Sequence, residues 1–115
     1  METFLDEIDD EIMVLVADGG LDANNARQLG DKLQTLVEAG IRDLIVDCSK
    51  LTFISSAGIG TLLKINHGLK DRGGRVHLAG PSGAVVQVLK IARIDRILGV
   101  HDDVGRAKHE LRRMG

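Results

Sequence analysis

Short apolar runs alternate with stretches of helical periodicity along the whole chain of 115 residues. This alternation predicts two successive strands, then three further strands that are each preceded by a helix, and a fourth helix at the end. The order of strand, helix and strand favours parallel pairing through right-handed crossovers. We therefore expect one α/β domain, spanning 1–115, with a mixed and mostly parallel sheet of about five strands and four helices. The expected strands are 3–8, 12–17, 41–48, 75–79 and 98–100.

The helices carry recognisable start and stop residues. Asp22 or a near neighbour is placed to cap the first helix, and Gly40 is placed to end it. The second helix is expected to stop at 73–74, where two glycines follow each other, and the third to open at 81–82. Asp102 is expected to start the last helix. The inner face of the third helix is expected to consist of Val85, Val88, Leu89 and Ala92.

Composition argues against several classes of function. The formal net charge is −2 and aromatic residues make up 2% of the chain, so a nucleic acid is not an expected partner. Cys48 is the single cysteine and lies in an apolar run, which predicts a small buried side chain and no disulfide. The six acids in 2–11 are expected to form a solvated edge. No leader pattern and no apolar stretch of about 20 residues is present, which predicts a cytoplasmic protein without a membrane partner.

The stretch 53–60, FISSAGIG, places two adjacent hydroxyls ahead of a helical segment. We expect 47–60 to form a loop that leads from the carboxyl end of a strand to the amino end of a helix, where function concentrates in open α/β folds. The simplest role for Ser55 or Ser56 is to cap that helix. Capping also leaves a hydroxyl exposed, so it does not exclude a function.

Three chemical roles remain for the serines besides capping. A nucleophile needs a base, but the four histidines are scattered and no glycine stands two residues before either serine. A phosphate-binding loop would need the lysine that this stretch lacks. A covalent phosphate acceptor is physically tolerated, because the negative charge would meet the helix dipole. The residues alone leave this choice open. The histidines are His67, His77, His101 and His109, and their spacing predicts no metal site.

Three stretches resemble one family and together cover nearly the whole chain. They are DGGLDANNARQL at 18–29, IVDCSKLTFISSAGIGTLL at 45–63 and RILGVHDDVGRAKHEL at 96–111. The first resembles the family's turn before its first helix, and the second its central strand and serine loop. On these motifs the sequence is identified as similar to the STAS domain of bacterial anti-sigma factor antagonists, also called anti-anti-sigma factors.

The resemblance implies a partner switch without enzymatic activity, cofactor or metal in this chain. The unmodified protein would bind an anti-sigma factor, a serine kinase with a histidine-kinase-like ATP fold, and thereby free a sigma factor. Phosphorylation of a loop serine by that kinase would end the binding, and a serine phosphatase would reset it. By motif position the acceptor is Ser56. The resemblance implies that the partner-binding residues are Asp22, Ser55, Ser56, Ala57 and Gly58.

The family pattern is not matched at every position. Ser55 stands where many members carry Asp, and Ala57 stands where others have Ser or Thr. The family also includes subunits of stress-signalling scaffolds and of lipid-transport ATPase complexes, and a nucleotide-binding module is a further alternative. We expect a monomer when the protein is free.

Overall fold

Five strands lie in one sheet in the order in which they occur along the chain, β1-β2-β3-β4-β5. The computed structural model describes residues 2–9 and 11–114, with the side chains of residue 3 and of residues 11–113. The side chains of residues 2 and 4–10, and with them most of the acidic run, lie outside this part. The elements are β1 (Glu2–Asp9), β2 (Ile12–Leu21), α1 (Ala23–Glu38), β3 (Asp43–Ile54), α2 (Ser56–Lys70), β4 (Val76–Ala79), α3 (Gly83–Ile91), a 3₁₀ turn (Ile94–Arg96), β5 (Gly99–His101) and α4 (Val104–Met114).

The sheet confirms the expected α/β class. β1 pairs with β2 in the antiparallel sense, and β2, β3, β4 and β5 pair in parallel with their neighbours. Helices α1, α2 and α3 cover one face of the sheet, because each follows a strand and leads to the next one along. The core on that face includes Leu15, Leu33, Leu44, Ile65, Leu78 and Leu89.

The opposite face of the sheet is covered by α4. Ala107 and Leu111 of α4 pack against a smaller cluster of sheet side chains. Strand side chains alternate between faces, so neighbours of the main-core residues point to this second cluster. The sheet members of the cluster are Ile12, Val14, Ile45 and Ala79. β1 forms one edge of the sheet and β5 forms the opposite edge.

Strands β2 and β3 are longer than expected. The sequence predicts a turn at 18–20 and a loop from residue 47, but β2 runs to Leu21 and β3 runs to Ile54. The two extensions pair with each other, with Asp18 opposite Lys50 and Leu21 opposite Ile54. Two register shifts interrupt the pairing, which explains why neither extension has a regular alternation of polar and apolar residues. The expected loop is therefore wrong in this part.

The expected inner face of α3 is wrong at two of four positions. Val85 and Leu89 are buried, but Val88 is 36% exposed and Ala92 is also exposed. The helix has nine residues and presents one narrow stripe, at positions four apart, to the sheet. Ala92 is the C-cap of the helix, and Arg93 after it takes a left-handed conformation with a φ of 59°, so the helical face does not continue beyond Ala92.

Most helix ends agree with the expectations. Gly40 has a φ of 108° directly after α1, and Gly73 has a φ of 80° after α2. Ser82 caps α3 by accepting a bond from the Val85 N–H at 3.5 Å. The last helix begins later than expected, because Asp103 is the residue whose carboxylate accepts the Arg106 N–H at 2.7 Å. No described helix combines the length and apolar character that a bilayer-spanning segment requires.

Candidate functional site

The extended ends of β2 and β3 bring two strand-to-helix connections side by side. Leu21 lies opposite Ile54 in the parallel ladder, and the Leu21 carbonyl accepts the Ser55 N–H at 2.8 Å. The residue after Leu21 is Asp22 and the residue after Ile54 is Ser55, so the first turns of α1 and α2 start next to each other. The structure thereby places the expected site residues together at the carboxyl ends of β2 and β3.

Asp22 is the N-cap of α1. Its Oδ1 accepts the backbone N–H groups of Asn24 and Asn25, both at 2.9 Å. The Asn25 side chain returns a bond, because its Oδ1 accepts the Asp22 N–H at 2.9 Å. The Asn25 amide also donates to the Gly20 carbonyl at 2.8 Å. This reciprocal capping box fixes the Asp22 carboxylate, which is partly exposed, beside the end of β2.

The two serines have different positions. Ser55 is the N-cap of α2, and its hydroxyl oxygen accepts the Gly58 N–H at 3.1 Å. Ser56 is the first residue of α2 and its side chain is exposed, as is that of Ala57. Either serine suits a cap from sequence alone, and the pairing of Ile54 with Leu21 decides that the helix starts after Ser55. The exposed hydroxyl of the pair is therefore that of Ser56.

Gly58 is buried beneath the first turn of α2. A Cβ atom at this position would lie 2.6 Å from Leu21 Cγ and 3.1 Å from Ile54 Cγ1. The first distance is shorter than real carbon contacts and the second is tighter than most, so a side chain here would require Leu21 and Ile54 to shift. Gly58 is therefore expected to contribute to partner binding indirectly, because it determines the positions of Ser56 and Ala57 on the surface.

Phe53 is a surface residue of this site that sequence reasoning did not single out. Its side chain is 50% exposed, and its ring lies over Gly20, where a Cβ would be 2.0 Å from the ring. Gly20 and Phe53 are partners in the β2–β3 ladder. The signal available in the sequence is that one of the two aromatic residues of the chain stands two positions before Ser55. An exposed ring of this kind is enriched in protein interfaces.

A groove lies between α1 and α2, and its lining includes Ala57, the residue after Ser56. Its volume is about 510 Å³, and Ala57 and Thr61 line it from α2. Arg27 and Lys64 supply two cationic side chains to its walls, and Asp31 supplies one acid. The groove is open rather than enclosed, so it offers shape and positive charge to a partner more readily than it would bury a small ligand.

Among the described residues, the cysteine and the histidines do not join this site. Cys48 is buried, and burial together with the charge of Asp47 raises the pKa of its thiol to about 12, so it is a packing residue as expected. His67 and His109 are exposed on α2 and α4. His77 is buried in β4 and contacts His101 of β5. In the part of the chain that the structure describes, no three histidine, cysteine or acidic side chains are arranged so that they could hold a metal ion.

The chain is similar to known proteins in both sequence and structure. A family model described as "STAS domain" matches residues 4–107. A Thermotoga maritima protein provisionally named anti-sigma factor antagonist is 25% identical over 108 residues, which are 93% of this chain and 96% of that protein.

Two solved structures of one regulator share the fold. The anti-sigma factor antagonist SpoIIAA in its unphosphorylated form has a TM-score of 0.85 and 24% identity, over 96% of each chain. The Bacillus cell fate determinant SpoIIAA in the phosphorylated form has a TM-score of 0.75 and 22% identity, over 96% of this chain and 99% of that one. At these identities the two structures establish a common fold.

Proposed function

Because the chain belongs to the STAS domain family, we propose that it is an anti-sigma factor antagonist switched by phosphorylation of Ser56. The observation that carries the proposal is the position of Ser56. It lies exposed in the first turn of α2, beside the Asp22 cap, while Ser55 supplies the cap of that helix.

Modification of Ser56 is compatible with the fold. The hydroxyl that caps α2 belongs to Ser55, so a phosphate on Ser56 would leave the bond to the Gly58 N–H in place. A phosphoserine carries a charge of about −1.5 to −2 at pH 7, and the amino end of a helix stabilises negative charge. In agreement, SpoIIAA keeps a related fold in both its unphosphorylated and its phosphorylated form.

Modification would nevertheless disrupt a docked partner. The proposed docking surface consists of Asp22, Phe53, Ser55, Ser56 and Ala57, and it already carries the Asp22 carboxylate. A partner that covers this surface when Ser56 is unmodified would have to bury a dianion next to that carboxylate after phosphorylation. Burying a charge without a matching cation costs several kcal/mol, so binding would be lost.

In this scheme the partner supplies the catalysis. The partner is an anti-sigma factor with serine kinase activity, which holds ATP and its metal ion. Ser56 Oγ attacks the γ-phosphorus of ATP, a new O–P bond forms, and the bond between the γ-phosphorus and the ADP oxygen breaks. The hydroxyl proton passes to a base of the kinase. A separate phosphatase hydrolyses the serine phosphate and restores binding.

The first test is phosphopeptide mapping of the protein purified from its own cells. Trypsin releases residues 51–64 as one peptide, LTFISSAGIGTLLK, and a fragment break between Ser55 and Ser56 assigns the phosphate. We expect phosphate on Ser56 that changes with growth state. A peptide that stays unmodified under all conditions would contradict the switch and favour a constitutive binding subunit.

The second test is binding to the kinase that copurifies with the unmodified protein. Ser56→Asp is expected to lower the affinity at least tenfold, while Ser56→Asn, its neutral match, and Ser56→Ala keep it within about threefold. Equal affinity of the Asp and Asn variants would contradict a charge-based switch. Thermal unfolding of all three variants shows whether a change in affinity reflects the fold instead.

A further inference from the structure

Two histidines that the proposed function does not use meet at the β4–β5 edge of the sheet. His77 of β4 is 2% exposed, and its Nδ1 atom lies 3.0 Å from the Nε2 atom of His101 in β5. The two residues lie on the face of the sheet that α4 covers. Their contact joins β5, a three-residue strand, to β4 by a side-chain bond in addition to the backbone ladder.

The contact depends on a glycine placed between the two rings. Gly99 is the ladder partner of His77, and a Cβ atom there would lie 2.6 Å from His77 Nδ1 and 3.0 Å from His101 Nε2. Any side chain at residue 99 would therefore push the imidazoles apart. Glycine at residue 99 is therefore an observation, independent of the ring-to-ring distance, that this position accommodates the histidine pair.

A third group continues the chain of contacts to β3. Asp43 is 3% exposed, and its Oδ1 lies 3.8 Å from His77 Nε2. The same carboxylate accepts the Arg75 N–H at 3.0 Å on Oδ1 and the Arg42 Nε–H at 2.6 Å on Oδ2. His77 Nε2 is buried and has no hydrogen-bond partner among the described residues, and the charged group nearest to it is the Asp43 carboxylate.

The Asp43 carboxylate favours one tautomer of each of the two histidines. If His77 Nε2 carried a lone pair, that lone pair would face an anion, whereas an Nε2–H group is attracted to it. His77 therefore carries its proton on Nε2, and its Nδ1 accepts a bond from the Nε2–H of His101. His101 Nδ1 is then the unprotonated nitrogen of the pair, at which an added proton would bind.

Charged groups from each neighbouring segment act on that proton. Burial and the adjacent His77 lower the pKa of His101, and Arg75, the residue before β4, lowers it further. Glu110 on α4 and Asp102 before α4 act in the opposite direction. The net direction is downward, so the folded protein binds this proton more weakly than the unfolded chain does.

We propose that Asp43, His77 and His101 form a proton-responsive latch, which holds β5 and α4 on the sheet and loosens when the pair takes up one proton. The pair accepts one proton rather than two, because a second charge would be buried next to the first. β5 is three residues long and pairs with β4 at the edge of the sheet, so it is the segment that opens with the least loss of contacts. Opening would expose the sheet face that α4 covers.

The sign of the pH effect follows from linkage. The ordinary pKa of the His101 side chain is 6.5, and the folded value is lower. As the pH falls below about 6.5, the open form binds more protons than the closed form, so the free energy of opening decreases. The opening constant increases by a factor of ten for each unit that separates the two pKa values, once the pH is below both.

NMR of the full chain tests the proton arrangement directly. Long-range ¹⁵N–¹H spectra at pH 8 should show the Nε2–H form for both His77 and His101, and on acidification both rings should respond to one shared proton with a midpoint below 6.5. The exposed rings of His67 and His109 are recorded in the same spectra as controls. A proton on His77 Nδ1 at pH 8, or independent titration of the two rings, would overturn the proposal.

Hydrogen exchange tests the latch. After correction for the intrinsic effect of pH on exchange, amides in β5 and α4 should lose more protection between pH 7.5 and 5 than those in α1. His101→Gln keeps an N–H donor at the Nε2 position but cannot titrate. In this variant, β5 and α4 should therefore lose no more protection between pH 7.5 and 5 than α1 does. An unchanged difference in His101→Gln, or an equal loss in α1, contradicts the latch. Gly99→Ala, if it folds, should separate the two histidine titrations.

Discussion

At the scale of single residues, the adjacent serines divide two tasks between them. Ser55 satisfies a backbone N–H of α2, and Ser56 presents its hydroxyl to solvent. The sequence identified the pair, because small polar residues before a helical pattern predict a helix start. It did not assign the cap, because both serines suit it equally and the decision depends on the pairing of β3 with β2, which is remote in sequence.

Removal of the Ser55 hydroxyl should therefore affect stability, and removal of the Ser56 hydroxyl should not. Ser55→Ala leaves the Gly58 N–H without its acceptor and is expected to lower the free energy of unfolding by about 1 kcal/mol. Ser55→Asp, which keeps an acceptor, should lose less. Urea unfolding monitored by far-ultraviolet circular dichroism measures the three values. A larger loss for Ser56→Ala than for Ser55→Ala would show that the cap is assigned to the wrong serine.

The Asp22 side chain allows its capping role to be separated from its charge. Asp22→Asn keeps an oxygen for the Asn24 and Asn25 N–H groups and should change stability by less than about 0.5 kcal/mol. Asp22→Ala removes that acceptor and should cost about 1–2 kcal/mol. Chemical unfolding of the two variants gives this comparison. A large loss in Asp22→Asn would mean that the carboxylate charge, rather than the acceptor geometry, stabilises the start of α1.

At the scale of elements, the close approach of α2 to β2 and β3 positions the serines. The sequence predicted the helix and both strands, but it ended the strands too early. The polar and glycine residues at 18–20 and 49–50 normally mark turns. In the structure these residues continue the β2–β3 ladder through two register shifts, because each extension supplies the hydrogen bonds that the other needs. Local patterns cannot show a pairing between residues that are 32 or 33 positions apart along the chain.

Two glycines in the first turns of α2 provide a matched test of that approach. An added methyl group at Gly58 would collide with Leu21 and Ile54, and overpacking of this kind costs about 1–3 kcal/mol, more than the roughly 1 kcal/mol that alanine gains in a helix. Gly58→Ala should therefore destabilise the protein. Gly60 has nothing within 4 Å of such a methyl group, so Gly60→Ala should stabilise by about 0.5–1 kcal/mol.

Thermal unfolding of both alanine variants distinguishes packing from backbone freedom. If Gly58→Ala raises the melting temperature as Gly60→Ala is expected to do, then α2 does not pack against Leu21 as closely as the structure shows. Kinase binding by Gly58→Ala would also reveal whether a displaced first turn changes the presentation of Ser56.

At the scale of the whole molecule, the sequence predicted the layers better than the contacts between distant strands. The alternation of strands and helices was enough to give the class and the mostly parallel sheet, because βαβ units combine in few ways. It did not predict the meeting of His77 with His101, or the approach of Asp43, because these contacts depend on the relative register of β3, β4 and β5. Each histidine taken alone is an ordinary packing or surface residue.

Asp43 connects this buried cluster to the acid stability of the entire domain. Burial alone would raise the pKa of its carboxyl, but contacts with His77, Arg42 and the Arg75 N–H together lower it below the ordinary value of 3.8. The unfolded chain therefore binds a proton at Asp43 more readily than the folded protein does. The resulting stabilisation is fully present well above pH 3.8 and is lost as the pH falls through 3.8 toward the folded pKa.

Asp43→Asn should reveal this contribution. At pH 7 the variant is expected to be less stable than the original protein by about 1–3 kcal/mol, because Arg42 and Arg75 lose a charged acceptor inside the protein. The difference should shrink as the pH falls from 5 to 3, because the original carboxyl becomes protonated there. Urea unfolding at pH 7, 5, 4 and 3 gives the comparison, and Asp95→Asn, at an exposed position, controls for the loss of one negative charge. A difference that stays constant down to pH 3 would mean that the Asp43 contacts do not favour its ionised form.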